Sequence, residues 1–587
     1  MAGALFSEPF VLLDDARSSG AAPARLYLEP VEIVRADTPA DVKAALNRVR
    51  VAGREGLHVA GFMAYEAGYA LEPKLEGMAG ASPAPLLWFG LFRNYAEVSA
   101  GDVPKWLPDP AGAWVGKPRP ALTRETYAAV LAKVQAYILA GDIYQANLTF
   151  LNHVSTVGHP LAVYASLRAR AQAGYGGVVW TGQDWLLSLS PELFFALQGG
   201  KVTTKPMKGT ARRADDDAAQ VAALQADPKQ RAENLMIVDL LRNDLSRVAV
   251  PGSVAVPHLF EVETYPTVHQ MTSTVTAQLQ PDVGAVDLIA AIFPCGSITG
   301  APKIRAMEVV MEVEAGPRGA YTGSIGRIDA NGDAAFNVAI RTLHLAKGAC
   351  EATLGLGSGI VADSILGQEW HECRDKGEFV GDCRRFDLIE TMRFEPEAGI
   401  IMLDRHLARM KDSARALDFI FDAHAARNEL QSSTFRLNEA RRIRLMLAPS
   451  GQIAVEITPL HPVPNGPVRV AIVALPVDPT DFRLRHKTSD RRFYETARIG
   501  AGTFEVALMD VDGFLTEGSF TSLFAERNGT LVTPPLSRGL LPSILRADLL
   551  ETGRAVEADL RAEDLAGVFW IGNASRGLIP AELQGPA

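Results

Sequence analysis

Apolar and polar positions alternate along this chain with two periods, and together they predict a mixed α/β protein of more than one domain. Phe10 to Asp15 is a short apolar run closed by acids, and Leu57 to Glu66 reads as a buried strand. Proline and glycine between Pro104 and Pro120 predict a connection. A helix is predicted to begin at Thr123, with Arg124 and Glu125 in its first turn, and to run to Ala140 before Gly141-Asp142. Trp185 to Leu189 and Leu193 to Leu197 predict strands on either side of Ser190-Pro191-Glu192. Between Ala232 and Val248, Leu235, Val238, Leu241 and Leu245 recur at helical spacing, with Glu233, Arg242, Asn243 and Asp244 opposite. Ala334 to Leu345 alternates as a strand, with Arg341 on its less apolar face, where it needs an anion or must reach water. Further on, a strand is predicted at Phe386 to Arg393, a helix at His406 to Asp418, a strand at Val468 to Leu475, and a hairpin about Asn528-Gly529. The charged, glycine-bearing stretch Arg374 to Asp382 predicts a linker. The expected organisation is 1–115, 116–375, a linker at 376–385, and 386–587.

Composition narrows the class. With 587 residues the chain is too long for one core, and 48% hydrophobic with 21% charged residues is ordinary for a globular protein. The formal charge of −10 argues against nucleic acid and against an anionic membrane as partners. No uninterrupted apolar run of about 18 residues predicts a membrane span, and Met1 to Phe10 lacks a basic stretch followed by an apolar core. Cys295, Cys350, Cys373 and Cys383 show neither metal-ligand pairing nor a disulfide framework. A cytoplasmic location is the expectation.

Candidate chemistry begins at Lys205-Pro206-Met207-Lys208-Gly209-Thr210. Lys208 precedes a Gly-Thr pair, where backbone can approach a small anion closely. It could be a nucleophile if its neighbours depress its pKa, a plain counter-ion, or part of a solvated turn. Other polar groups stand where solvation is difficult: Glu192 at a strand junction, Glu233 on an amphipathic helix, His269 within an apolar stretch, and Arg341. Gly355 to Gly359 reads as a glycine-rich loop whose amides could bind a carboxylate. Glu369 and Glu372 follow on one helix face. Carboxylates without cysteine or clustered histidine suit a hard ion such as Mg²⁺. Singly, each also reads as a solvated face, a satisfied core group or a turn.

Taken in order, these segments resemble the chorismate-utilising enzymes. The matching runs include Gly141 to Leu148, Ser190-Pro191-Glu192, Pro206 to Thr210, Glu233 to Asp244, Gly296 to Lys303, Tyr321-Thr322-Gly323 and Gly357 to Ser364. The resemblance covers roughly 1–375. It implies a large two-sheet α/β sandwich with the active site between the sheets, and chorismate as substrate. It implies that the substrate's carboxylates are held by Arg341, Tyr321, the Gly357 and Gly359 amides and Mg²⁺, the metal on Glu233 and Glu372 with Glu369 close by. It places His269 near the substrate ring, and aligns Arg247 and Thr210 with substrate-binding positions. Gln145 stands where water-adding members carry a lysine base, so water is not the expected nucleophile. Lys208 looks like the aminodeoxychorismate synthases (component I), in which the lysine adds covalently, ammonia then aminates C4, and Glu192 looks like the proton-transfer partner. No Gly-x-Cys-x-Gly elbow occurs at any cysteine, so ammonia is expected free or from a separate glutamine amidotransferase subunit. Anthranilate synthase chemistry is the alternative, against which Lys208 argues.

The C-terminal region offers Lys487, Arg409 and Glu517: a lysine, an anion clamp and an acid, as pyridoxal 5'-phosphate requires. Alone they read as a charged loop residue, a solvated helix residue and a strand cap. Their order and surroundings over about 386–587 resemble the fold-type IV pyridoxal phosphate enzymes, among them aminotransferases and aminodeoxychorismate lyases. The resemblance implies Lys487 as Schiff-base lysine and acid/base, Glu517 on the pyridine nitrogen, Arg409 on the phosphate, and contacts from Thr521, Ser522, Ile544 and Leu545. Two departures stand out: Thr521-Ser522 replaces the common Ser-Asn, and Ser543-Ile544-Leu545 the common Gly-Ile-Thr. Relatives of this class usually dimerise, so a homodimer through this domain is a further expectation. Jointly the two resemblances imply a fused, two-step synthesis of 4-aminobenzoate for folate. The alternatives are a fused aminotransferase, or a C-terminal module without catalysis.

Overall fold

The computed structural model describes residues 8–78, 84–213, 216–264, 268–381, 386–462 and 464–584. It divides into two compact units. One comprises 1–107, 117–154 and 164–381, the other 108–116, 155–163 and 382–587. The stretches read as 1–115 and 116–375 thus contribute strands to the same two sheets. The fold is mixed α/β.

In the larger unit one sheet runs in the order Gly300–Ala301, Gln145–Val157, Glu351–Ile360, Thr342–Ala346, Asp184–Ser188, Gly176–Trp180, Phe10–Asp14, Ala24–Tyr27, Ala96–Val98. The other runs Met207–Arg212, Val268–Gln278, Lys201–Lys205, Leu193–Gln198, Ala334–Asn337, Ser324–Ile328, His58–Met63, Leu87–Phe92, Glu32–Ala36. The chain crosses between the sheets at two adjacent places. Residues 189–192 join Asp184–Ser188 to Leu193–Gln198, and 338–341 join Ala334–Asn337 to Thr342–Ala346. The crossings are neighbours because Ser188 pairs with Thr342 and Leu193 with Asn337. They are tied by Leu189 N–H to the Arg341 carbonyl (3.0 Å) and Val338 N–H to the Glu192 carbonyl (3.0 Å). Glu192 and Arg341 are the ionisable groups these crossings carry.

This geometry corrects several sequence expectations. Ala334 to Leu345 is two strands in different sheets, and Arg341 takes a left-handed φ of 50° at the break. A period of two could not show this, because both halves are apolar. Gly355 to Gly359 is not a loop but part of the strand Glu351–Ile360, without positive φ. Its glycines give room: a Cβ on Gly355 would lie 2.1 Å from the Tyr321 ring, and one on Gly357 2.6 Å from the Leu148 carbonyl. The helix Pro228–Ser246, capped by Asp227, buries Asn234, Ile237, Val238, Leu241, Asp244 and Leu245. Leu235 faces solvent, and Asp244 turns inward to Lys303 (2.7 Å). The expected linker at 376–385 begins inside a helix, Leu366–Gly377; residues 382–385 lie outside the described residues.

In the smaller unit one sheet runs Gly399–Ile400, Leu388–Glu395, Arg441–Leu447, Ile453–Pro459. The other runs Glu505–Met509, Val468–Ala474, Gly577–Leu583, Val568–Asn573, Ser522–Arg527, Thr530–Thr533, Ala555–Glu557. Val468–Ala474 pairs in parallel with both its neighbours. The helix Leu403–Ala416 packs on Leu388–Glu395. Asn528 and Gly529 both have positive φ (53° and 76°), the hairpin turn their sequence predicts. Among the described residues no helix is long and apolar enough to cross a membrane.

Candidate active sites

Lys208 lies in the strand Met207–Arg212, whose pairing with Val268–Gln278 is irregular between Met207 and Thr210. Gly209 occupies that irregularity with φ of 90°, which only glycine adopts without strain. Burial lowers the Lys208 pKa, and the like charge of Lys376 lowers it further. Its amine faces the neighbouring glycine strand: a Cβ on Gly359 would lie 3.3 Å from Lys208 Nζ and 2.8 Å from Gln145 Nε2. Gln145 is buried, and among the described residues neither end of its amide has a hydrogen-bond partner. Such a group invites a ligand.

Glu192 is buried, and burial pushes its carboxyl up to about 7, although Ser297 and Lys208 pull the other way. The Ser297 hydroxyl donates to Glu192 Oε1 (2.7 Å). A carboxyl that exchanges its proton near neutrality therefore stands beside an amine biased towards its uncharged form.

Glu233 and Glu372 act on this amine, and Glu369 acts on Glu233. Glu233 is raised by burial and by the charges of Glu372 and Glu369, against the pull of Lys208 and Lys229. Burial alone would raise Glu372, but its ion pair with Lys376 (2.7 Å) holds it below the ordinary value. Glu369 accepts from Ser364 (2.7 Å). Lys376 also donates to the Gly357 carbonyl (2.9 Å), linking the helix to the glycine strand.

In the smaller unit a cavity of about 740 Å³ is lined by Lys487, Arg409, Glu517, Thr521, Ser522 and Ile544, among others. Burial brings Lys487 down to about 7, assisted by Arg409 and opposed by Glu390. Burial also raises Glu517 to about 7, and Glu517 accepts a hydrogen bond from the Tyr494 hydroxyl. Arg409 is held by Glu390, through Nε (2.8 Å) and Nη2 (2.6 Å), and donates through Nη1 to the Pro542 carbonyl (2.9 Å). Glu390 also accepts from His406 Nδ1 (2.6 Å). Its burial favours the neutral form, but Arg409 and His406 overcome that and keep it ionised.

The family model for chorismate binding enzyme matches residues 8–381. The chain belongs to that family. Residues 387–583 match the model for amino-transferase class IV, so the chorismate-binding domain is followed by a class IV domain. Aminodeoxychorismate synthase component 1 of Klebsiella aerogenes is 45% identical over 263 residues, 44% of this chain and 57% of that protein. The protein of the same name from Escherichia coli (strain K12) is 45% identical over 258 residues, 43% of this chain and 56% of that one. The chain thus spans little more than half the length of these relatives. In fold, it resembles anthranilate synthase component I from Streptococcus pneumoniae TIGR4, with a TM-score of 0.53 and 25% identity over 62% of this chain and 92% of that one.

Within the chorismate-binding domain the structure gathers Lys208, Glu192, Glu233, Glu372, Gly359 and Gln145 about one point. Tyr321 is buried against Gly355, with its hydroxyl raised by burial. Arg341 lies 5.9 Å from the Phe379 ring. Three further candidates have other partners. Arg247 caps the helix C-terminus and donates to the Ala291 carbonyl (3.1 Å). It lies 14 residues beyond Glu233, about 21 Å along the axis, so one small substrate does not reach both. His269 is buried with both ring nitrogens engaged, by Asp217 (3.0 Å) and Thr264 (3.0 Å). Thr210 is exposed and donates to Gln270 (3.0 Å). In the class IV domain Thr521 donates to Glu505 (2.9 Å), and Ser522 pairs with Gly572. Ile544 and Leu545 open the helix Ile544–Glu551, whose N-cap Ser543 makes no side-chain cap. Sequence reasoning missed Ser297, Lys376, Glu390, Glu505 and Tyr494. Lys376 stands four residues after Glu372 on one helix, a spacing that could have flagged it; the others are common residue types whose roles appear only when distant segments meet.

The residues present fit the groups that these families imply. The carboxylate set is all oxygen, which suits Mg²⁺. Among the described residues no three His, Cys, Asp or Glu side chains are gathered into a cluster that could hold a metal ion. The class IV cavity offers a lysine brought down to about 7, an acid raised to about 7, and uncapped helix amides beside Arg409, which suit the amine-reactive carbon, ring nitrogen and phosphate of pyridoxal phosphate.

Proposed function

We propose that the chorismate-binding domain aminates chorismate at C4, and that the class IV domain converts the resulting 4-amino-4-deoxychorismate to 4-aminobenzoate and pyruvate. The observation that carries this reading is the pairing of Lys208, biased towards its neutral amine, with Glu192, a proton donor poised near pH 7.

Neutral Lys208 adds to C2 of the ring while the C4 hydroxyl departs as water with a proton from Glu192. The proton released by the new ammonium returns to the Glu192 carboxylate. Ammonia then adds at C4 and the Lys208 nitrogen leaves from C2. Glu192 reprotonates that nitrogen and receives the proton the incoming ammonia gives up. Ser297 holds the Glu192 carboxyl in place throughout. Glu233 and Glu372, with Glu369 beside them, would hold Mg²⁺, which supplies a positive anchor for a substrate carboxylate. Arg341 and Tyr321 are the remaining candidates for substrate contact. Ammonia comes free or from a glutamine amidotransferase partner, by analogy with a relative named as a component 1.

In the class IV domain Lys487, Glu517, Arg409 and the amides of Ile544 and Leu545 would hold pyridoxal phosphate. When bound, that group supplies an electron sink at the amine-bearing carbon. Lys487, neutral at pH above about 7, takes the proton from C4. Pyruvate leaves and the ring becomes aromatic. Glu517, raised to about 7 by burial, would face the ring nitrogen, and Tyr494, which donates to it, fixes its orientation.

The deciding experiment incubates purified protein with chorismate, ammonia, Mg²⁺ and pyridoxal phosphate and identifies products by mass. 4-Aminobenzoate and pyruvate are expected. Anthranilate as the main product would overturn the first half. Aminodeoxychorismate that accumulates unchanged would overturn the second.

A further inference from the structure

The class IV cavity is far more cationic than its cofactor requires. Seven arginines and Lys487 line it, against two glutamates, Glu495 and Glu517. These charges form two layers. The inner layer bears on Lys487: Arg409, Glu390, Arg491 and Arg444 are the charges that shift it. Arg442, Arg576 and His461 act on one another instead. Arg442 Nη1 donates to His461 Nε2 (2.6 Å), and the charges of Arg442 and Arg576 both bear on that histidine. Arg576 extends over the rings of Phe504 (5.8 Å) and Phe520 (5.4 Å). Among the described residues no carboxylate forms an ion pair with Arg442, Arg444 or Arg576. The buried Nε atoms of Arg442 and Arg444 and Nη1 of Arg491 have no hydrogen-bond partner. Like charges packed together around unpaired donors are unfavourable unless an anion joins them.

We propose that Arg442, Arg576 and His461 form an anion subsite at the outer end of the Lys487 cavity, which takes a second carboxylate of a dianionic substrate. The proposal rests on the reading of this cavity as the site for an amine substrate. The phosphate end is accounted for by Arg409 and the uncapped turn at Ser543 to Leu545. That leaves the outer cluster for the substrate's own charge. A substrate with one carboxylate satisfies only one layer, whereas a dianion offers a charge to each. Arg442 and Arg576 thereby select against amino acids with apolar side chains, which the outer layer would leave unpaired. His461, through its hydrogen bond, fixes the Arg442 guanidinium and is a positioning residue.

The test uses the full chain loaded with pyridoxal phosphate, with isophthalate (two carboxylates) and benzoate (one) as probes in calorimetric titration. Isophthalate is expected to bind at least about tenfold more tightly than benzoate. In R576M, and separately in R442Q, that preference disappears while benzoate affinity and the cofactor's absorbance stay as in the parent. A preference that survives both substitutions, or is absent from the parent, overturns the proposal. Pyruvate release from aminodeoxychorismate separates this outcome from the functional reading. Release with an unchanged KM in both variants overturns the subsite and keeps the lyase. An arginine-dependent isophthalate preference without any pyruvate release keeps the subsite and removes the lyase.

Discussion

Replacing Glu192 by Gln tests the central electrostatic claim through stability as well as rate. Glu192 is 4% exposed, and its carboxyl is raised from 4.5 to about 7 chiefly by burial. Below pH 4.5 it is protonated in both folded and unfolded chains, and its ionisation does not affect stability. Between 4.5 and 7 the unfolded chain ionises while the folded one stays neutral, so stability falls as pH rises. Above 7 both are ionised, and the difference between about 7 and 4.5 amounts to about 3 kcal/mol lost from the folded state. Glutamine does not ionise, and its carbonyl still accepts from Ser297. E192Q should therefore exceed the parent in stability by about 1 kcal/mol at pH 5 and about 3 kcal/mol at pH 8.5. Urea unfolding of the full chain, followed by fluorescence and circular dichroism at both pH values, measures this. In the same variant amination should fall by roughly a hundredfold or more, as expected when a positioned proton donor is removed. A variant no more stable than the parent at pH 8.5 would refute the buried-carboxyl argument, and amination near the parent rate would refute the proton-transfer role.

Lys208→Ala should lose amination by at least about a hundredfold, while still releasing pyruvate from supplied aminodeoxychorismate; C4 amination at the parent rate, measured by mass, would exclude covalent participation. Lys487→Ala should lose the visible absorption of the lysine-bound cofactor and let aminodeoxychorismate accumulate from chorismate and ammonia, so pyruvate formation at the parent rate would remove Lys487 from the chemistry. Gly359→Ala places a methyl 2.8 Å from Gln145 Nε2 and 3.3 Å from Lys208 Nζ. Amination should fall about tenfold or more, without change in pyruvate release from supplied aminodeoxychorismate; unaltered amination kinetics would show that the Lys208 amine does not work against the glycine strand.

The sequence revealed the site better than it revealed the path of the chain to it. Lys208, Glu192, Glu233 and Glu372 were legible through the ordered motifs that resemble the chorismate-utilising enzymes; singly, each also reads as a turn, a junction or a solvated helix face. Arg341 was legible as a residue but not as a place: alternation from Ala334 to Leu345 continues across the change of sheet, and only the left-handed φ marks the break. Gly355 to Gly359 was read as a loop because glycines usually mark turns. Here they let strands and the Tyr321 ring approach, which depends on what lies opposite and leaves no trace in local spacing. Arg247 shows the reverse failure, and His269 is held by other groups. Motif adjacency drew both towards the substrate; helix rise removes Arg247, and Asp217 with Thr264 engages both ring nitrogens of His269.

The two sites also share a physical arrangement that neither sequence constellation could express. Each sets a lysine whose pKa burial depresses in a site with a glutamate that burial raises to about 7: Lys208 with Glu192, Lys487 with Glu517. Burial alone serves both ends, since it penalises the ammonium and the carboxylate alike and leaves the neutral pair favoured. What distinguishes the sites is the surrounding charge. Carboxylates border Lys208, which calls for a cation and suits a substrate bound through a metal. Arginines border Lys487, which calls for anions and suits a phosphate and a carboxylate-bearing substrate. Ser297 and Tyr494, one hydrogen bond from each glutamate, hold these acids in position. Such support comes from ordinary serines and tyrosines that only the folded chain brings into place.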